Sequence, residues 1–158
     1  MRELILGHEE AGYGRIITLN SKILMDVLIN RIKSGLGLKY GILSFLRSTK
    51  MGVQVGRPRK GENSLIGSIA VCAGSGSGVF KLVSKEVDVL LTGELSHHEV
   101  LAAIAKGQHV ILCGHTNTER GFLKTLQHKL QDDLDTKVGA SQIQVVISTQ
   151  DHDPLETM

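Results

Sequence analysis

Three short apolar runs dominate the second half of the chain, at residues 65–72, 87–91 and 109–113, each followed by glycine and polar residues. Apolar runs of this length bounded by turn signals fit strands buried on both faces. Between and after them, the spacing predicts helices over 79–85, 96–106 and 116–134, the last with Phe122, Leu123, Leu126 and Leu130 on one face. Strand followed by helix, three times over, implies βαβ units around a parallel core. Nearer the N-terminus, residues 13–19 read as a strand. Ser21 reads as the cap of a helix whose apolar positions are Ile23, Leu24, Val27, Leu28 and Ile32, and Gly35 and Gly37 end it. Residues 40–46 and 142–148 read as further strands, and residues 47–64 as a polar connection without periodicity. The expected fold class is α/β, with βαβ units around a mixed, largely parallel sheet, forming one domain over residues 1–158.

Composition narrows the function classes. Hydrophobic residues are 41% and charged residues 22%, a globular balance that excludes intrinsic disorder. Aromatics are 3%, so the core must be aliphatic and a base-stacking platform for single-stranded nucleic acid is disfavoured. Eighteen Lys and Arg against sixteen Asp and Glu give a net charge of +2, too little to imply nucleic acid or an anionic membrane. The basic character is local, in Arg47, Lys50, Arg57, Arg59 and Lys60. Gly56-Arg57-Pro58 resembles the core of an AT-hook, but a solvated connection is the stronger reading, and direct nucleic-acid binding is not expected. Cys72 and Cys113 lie inside apolar runs and are expected to be reduced and buried on neighbouring parallel strands. No run approaches the roughly 18 apolar residues of a membrane span, and the N-terminus lacks a secretory layout. The expected location is therefore cytoplasmic.

In parallel sheets the polar site lies where strands end and helices begin, and all three such turns hold unusual residues. Gly74-Ser75-Gly76-Ser77-Gly78 is either an anion-binding turn with converging N–H groups or a plain tight turn; it lacks the Walker lysine and does not fit G-x-G-x-x-G. The second turn carries Glu94, His97 and His98. Adjacent helical histidines point about 100° apart and rarely share one ion, so solvated helix-start residues are the alternative. In the third, His115 and Glu119 are four apart and can reach one divalent ion. Thr116-Asn-Thr-Glu119 is equally a capping box, which explains Glu119 without a metal.

Taken together, AVCAGSGSG, DVLLTGELSHHEVLAAIAKG and VILCGHTNTERGFLKTL, in this order and spacing, resemble the C-terminal half of the NIF-three-like family, also described as type 2 GTP cyclohydrolase I homologues. GYGRIITL and the terminal DHDPL fit its eukaryotic branch. The resemblance implies an α/β fold of two similar halves, a toroidal homohexamer, and two divalent metal ions per complete site, of the Zn, Fe, Mn, Ni or Mg class. It implies that His115 and Glu119 are metal ligands and that Glu94 and His98 sit beside the metals. It implies a metal-dependent, hydrolase-like activity on nucleotides or phosphate esters. The alternative role it carries is a non-catalytic transcriptional co-regulator with a transcription-related protein partner, which would place the protein in the nucleus as well. The family's paired-histidine motif and further carboxylate have no counterpart in this chain, which is expected to hold half of the ligands.

Overall fold

A computed structural model of the chain describes residues 12–38, 52–59, 64–83, 86–139, 142–150 and 152–153. The expected strand at 40–46 lies outside them. Five strands form one sheet in the order β1-β3-β4-β5-β2. They are β1 (Arg15–Leu24), β2 (Gln54–Gly56), β3 (Leu65–Ser75), β4 (Val89–Glu94) and β5 (His109–Leu112). The pairs β3–β4 and β4–β5 are parallel, while β1 and β2 add antiparallel to the two edges. The α/β class with a largely parallel core is what the strand–helix alternation predicts.

Alternation along the central strands gives the sheet two apolar faces. Ile69, Val89 and Ile111 face Met25, Leu28 and Ile29 of α1 (Met25–Gly35), whereas Ala70, Leu90 and Val110 share a cluster with Ala103 of α3 (His97–Ala105). Side chains on successive residues of a strand point to opposite faces, so each inner strand feeds both clusters. The start of β4 is tied to β3 by Asp88, whose carboxylate accepts from the Gly67 and Ser68 N–H groups at 2.7 and 2.8 Å. Burial pushes the Asp88 carboxyl up, but these bonds, the Ser68 hydroxyl and Lys22 together hold it below its ordinary value. His109, at the start of β5, is buried with Nδ1 unbonded, and burial together with Arg57 holds its pKa low against the pull of Asp88.

The sequence reading needs correction at several elements. Ser21 lies within β1 and does not cap the helix: the register with β3 shifts between Thr18 and Ile23, and pairing resumes at Ile23 and Leu24 opposite Ile66 and Leu65. The helix therefore starts at Met25, with Leu24 at its N-cap and no side-chain cap bond. The connection at 47–64 contains β2, whose three residues are too few to show periodicity. Residues 73–75 extend β3, and the helix after them is a single turn, α2 (Ser77–Phe80). The helix expected over 116–134 is two helices, α4 (His115–Glu119) and α5 (Leu123–Val138), joined by a 3₁₀ turn over Arg120–Phe122. Gly121, with about 1 kcal/mol less helix propensity than alanine, sits in that joint. Residues 142–148 form no strand; Gln127 and Gln131 side chains occupy the backbone groups of Ile143 and Val145 instead. Cys72 and Cys113 are free and buried as expected, but β4 runs between their strands, so they are not neighbours.

Candidate functional site

The C-terminal ends of β3, β4 and β5 meet on one edge of the sheet, and two glycines set how closely. At Gly93 a Cβ would stand 2.6 Å from the Gly74 carbonyl, 2.8 Å from the His115 Cα and 2.8 Å from the Thr118 hydroxyl. At Gly74 the backbone has φ +64°, and a Cβ there would collide with the Glu119 carboxylate and lie 3.0 Å from His115 Nε2. Both positions need a residue without a side chain. Thr118 locks the corner: its hydroxyl accepts from the Gly74 N–H at 2.8 Å and donates to the His115 carbonyl at 2.8 Å. Thr92, fully buried, donates to the Gly74 carbonyl at 3.0 Å.

On this frame His115 stands between two carboxylates. Its Nδ1 lies 2.8 Å from Glu94 Oε1 and its Nε2 lies 3.4 Å from Glu119 Oε2. All three side chains are about half exposed. The hydrogen bond to Glu94 raises the His115 pKa above the ordinary imidazole value, with further lift from the charges of Glu119, Glu94 and Asp153. With a single proton on Nδ1, the ring donates to Glu94 and presents the Nε2 lone pair beside Glu119.

The arrangement fits a divalent ion in its donor chemistry. Two donors each about 2.1 Å from a tetrahedral ion lie about 3.4 Å apart, which is the observed Nε2 to Oε2 separation. A histidine that binds metal through one nitrogen usually gives its other N–H to a carboxylate, the position Glu94 holds. Among the described residues, no three His, Cys, Asp or Glu side chains converge to hold an ion.

The other sequence candidates fare differently. The capping box at Thr116–Glu119 is absent, because α4 starts at His115 with Gly114 at its N-cap and no side-chain cap bond. Glu119 is thus free to turn toward His115. The capping box of this region is Ser96–Glu99: the Ser96 hydroxyl accepts from the Glu99 N–H, and Glu99 accepts from the Ser96 N–H at 3.0 Å. Three donors of the glycine turn are spent internally. Gly74 donates to Thr118, Gly76 to the Glu94 carbonyl at 3.2 Å, and the Ser77 hydroxyl to Glu99 at 2.7 Å. Ser75 pairs in register with Glu94, and Gly78 stands in open space. The turn braces the His115 corner. His98 is exposed and packs edge-on against His97, with ring centroids 6.4 Å apart. His97 itself lines a cavity of about 250 Å³ with Val55, Leu95, Val100 and Leu112.

Thr118 and Asp153 lie in segments that carry the family resemblance, but neither is singled out by its spacing. Thr118 lies within the NTER segment but acts through a hydroxyl that spacing does not single out. Asp153 reaches His115 electrostatically from 38 residues away in sequence.

Comparison with known proteins covers nearly the whole chain. Residues 3–154 match the model of the family described as Duf34/NIF3 (NGG1p interacting factor 3). A protein from Schizosaccharomyces pombe called "Protein NIF3 homolog" is 43% identical over 150 residues, 95% of this chain and 48% of its own length. "NGG1-interacting factor 3" of Saccharomyces cerevisiae is 39% identical over 144 residues, 91% of this chain and 44% of its own length. The chain thus spans about half the length of these relatives. The crystal structure of Staphylococcus aureus protein SA1388 superposes with a TM-score of 0.69 over 93% of this chain and 42% of that one, at 24% identity. At that identity the likeness is one of fold.

Proposed function

The chain belongs to the Duf34/NIF3 family, and from that premise we propose that it carries one half of a divalent-metal site, with His115 and Glu119 as ligands and Glu94 holding the histidine. The observation that supports this reading is the histidine bonded through Nδ1 to one carboxylate while its Nε2 stands a ligand-to-ligand distance from another. A bound divalent ion would supply a water of lowered pKa as nucleophile, and hydrolysis of nucleotides or phosphate esters is the reaction class. The chain's own residues do the rest. Glu94 fixes the Nδ1–H tautomer, Thr118 and Gly74 hold the corner, and Glu119 faces the open side.

The test is direct. The 158-residue chain should take up Mn²⁺ or Zn²⁺ weakly in equilibrium dialysis, since most coordination positions are left to water. His115→Ala and Glu119→Gln should each abolish the uptake, while His97→Ala should retain it. Uptake unchanged in both site variants overturns the reading.

A second reading rests on α5. None of its sixteen residues is buried, and Phe122, Leu126 and Leu130 are exposed on one side. A helix of this kind suits a protein partner, in keeping with the name NGG1-interacting factor borne by the yeast relative. In this reading the protein is an intact, metal-free interactor acting in the cytoplasm and nucleus. A chain that lacks metal yet keeps its fold and self-association in the dialysis experiment favours it.

A further inference from the structure

Thr118 makes two bonds that belong to different parts of the fold. Helical threonines commonly bond back to their own helix, and Thr118 does so, its hydroxyl donating to the His115 carbonyl at 2.8 Å. The same oxygen accepts from the Gly74 N–H at 2.8 Å, on β3, a strand separated from β5 by β4. That N–H is available because β3 bulges. Cys72 pairs with Thr92 and Ser75 with Glu94, so Ala73 and Gly74 together stand opposite the single residue Gly93. A bulge of this kind takes backbone groups out of the ladder. Gly74 gives its N–H to Thr118, and its carbonyl accepts from the Thr92 hydroxyl at 3.0 Å. Thr92 is fully buried, so Gly74 is pinned to the core on one side and to α4 on the other. Gly74 is also the floor beneath the ligand pair: a Cβ on it would collide with the Glu119 carboxylate and lie 3.0 Å from His115 Nε2.

We propose that Thr118 is the positioning residue of this site: its hydroxyl, fastened to the bulge at Gly74, holds His115 Nε2 and Glu119 Oε2 at the separation a divalent ion needs. The inference rests on the metal reading above and adds the means by which two half-exposed donors keep their places. Their helix, α4, has five residues, too few to be stable without ties from outside. Thr118 acts through the backbone. One of its bonds reaches the carbonyl of one ligand residue, and the next residue in the chain is the other ligand. Alanine at 118 removes the tie to β3 without adding bulk. Valine would set a methyl where the Gly74 nitrogen stands at 2.8 Å, whereas apolar atoms rest at about 3.5–4.0 Å, so α4 must draw back. Serine keeps the hydroxyl and both bonds.

The experiment titrates the whole 158-residue chain with Mn²⁺ alone, well below the Tm of every variant, and follows the free ion by electron paramagnetic resonance. Thr118→Ala and Thr118→Val should each weaken binding about tenfold, the lower end of what groups that orient metal ligands contribute. Thr118→Ser should keep most of the affinity. Ile66→Val, in the core at the far end of β3, should lower the Tm and leave the affinity at the wild-type value, which separates position from stability. Wild-type affinity in Thr118→Ala, with binding still abolished by His115→Ala, overturns the positioning role and leaves the site. A loss in Thr118→Ser or in Ile66→Val as large as that in Thr118→Ala also overturns it, because bulk or stability would then be the cause. Mn²⁺ binding indifferent to His115→Ala removes the site and the role together.

Discussion

His115 gains its raised pKa chiefly from the bond to Glu94, so the pair couples protonation to folding. A histidine whose folded pKa lies above its unfolded one contributes stability that is complete below about 6.5 and is lost as pH rises through the folded value. Proton NMR should place the His115 midpoint above the ordinary imidazole value, and Glu94→Gln should bring it down; a midpoint indifferent to Glu94 would remove the hydrogen bond as its cause. On the metal reading, a divalent ion would compete with the proton for Nε2, so uptake should fade as pH falls through this raised midpoint. Gly74→Ala should be costly, since alanine at this positive φ loses about 1–2 kcal/mol and its Cβ strikes Glu119. A fall in Tm of about 2–4 °C per kcal/mol is expected at this chain length. Both thiols should label slowly in the native chain: burial pushes Cys113 up to about 11, and burial together with the Glu119 charge raises Cys72. The pairing of His115 with Glu119 was legible as a four-residue spacing. Its pairing with Glu94, 21 residues away, was not, because only the parallel register of β4 and β5 brings the two strand ends side by side.

At the scale of elements, two stretches offer the same local signal and only one uses it. Ser96-x-x-Glu99 and Thr116-x-x-Glu119 both spell a capping box, yet α4 begins at His115, two residues too early for Thr116 to cap it. The start of α4 is set from outside the helix. Gly114, at φ +86°, turns the chain directly off β5, and Asn117 Nδ2 fastens that turn to the Cys113 carbonyl at 2.8 Å. Ser96→Ala should therefore lower the unfolding free energy by about 1 kcal/mol in urea denaturation, and Thr116→Ala should stay within about 0.5 kcal/mol. Equal losses at the two positions would contradict the difference. The same competition explains the missed strands and helices. The central strands were legible because burial on both faces writes itself as unbroken apolar runs. Of the antiparallel edges, β1 was legible only in its first half, at 13–19, and continues past Ser21 to pair with β3 again at Ile23 and Leu24, while β2 is three residues long. Residues 142–148 alternate like a strand, but glutamine side chains satisfy their backbone.

For the whole molecule, the faces of the sheet are unequally served. α1 and α3 bury apolar side chains against it, one on each side, whereas α5 buries none. The apolar stripe on α5 was visible in the sequence at positions 122, 126 and 130. That it faces outward was not, since periodicity tells which residues share a face and not what the face meets. Phe122 remains 54% exposed and Leu130 43%, and Val146 on the segment after α5 is exposed as well. Where exposed apolar side chains form a patch they usually mark an interaction site. An exposed apolar stripe of this kind can be covered by a second copy of the chain. The chain should therefore sediment as a dimer or larger at tens of micromolar. Leu126→Lys with Leu130→Lys should shift it to monomer. Because both side chains are already exposed in the single chain, the substitutions should leave the Tm of the dissociated protein nearly unchanged, within the range of ordinary surface changes. A monomeric wild type, or an oligomer that both lysines leave intact, would take α5 out of the assembly.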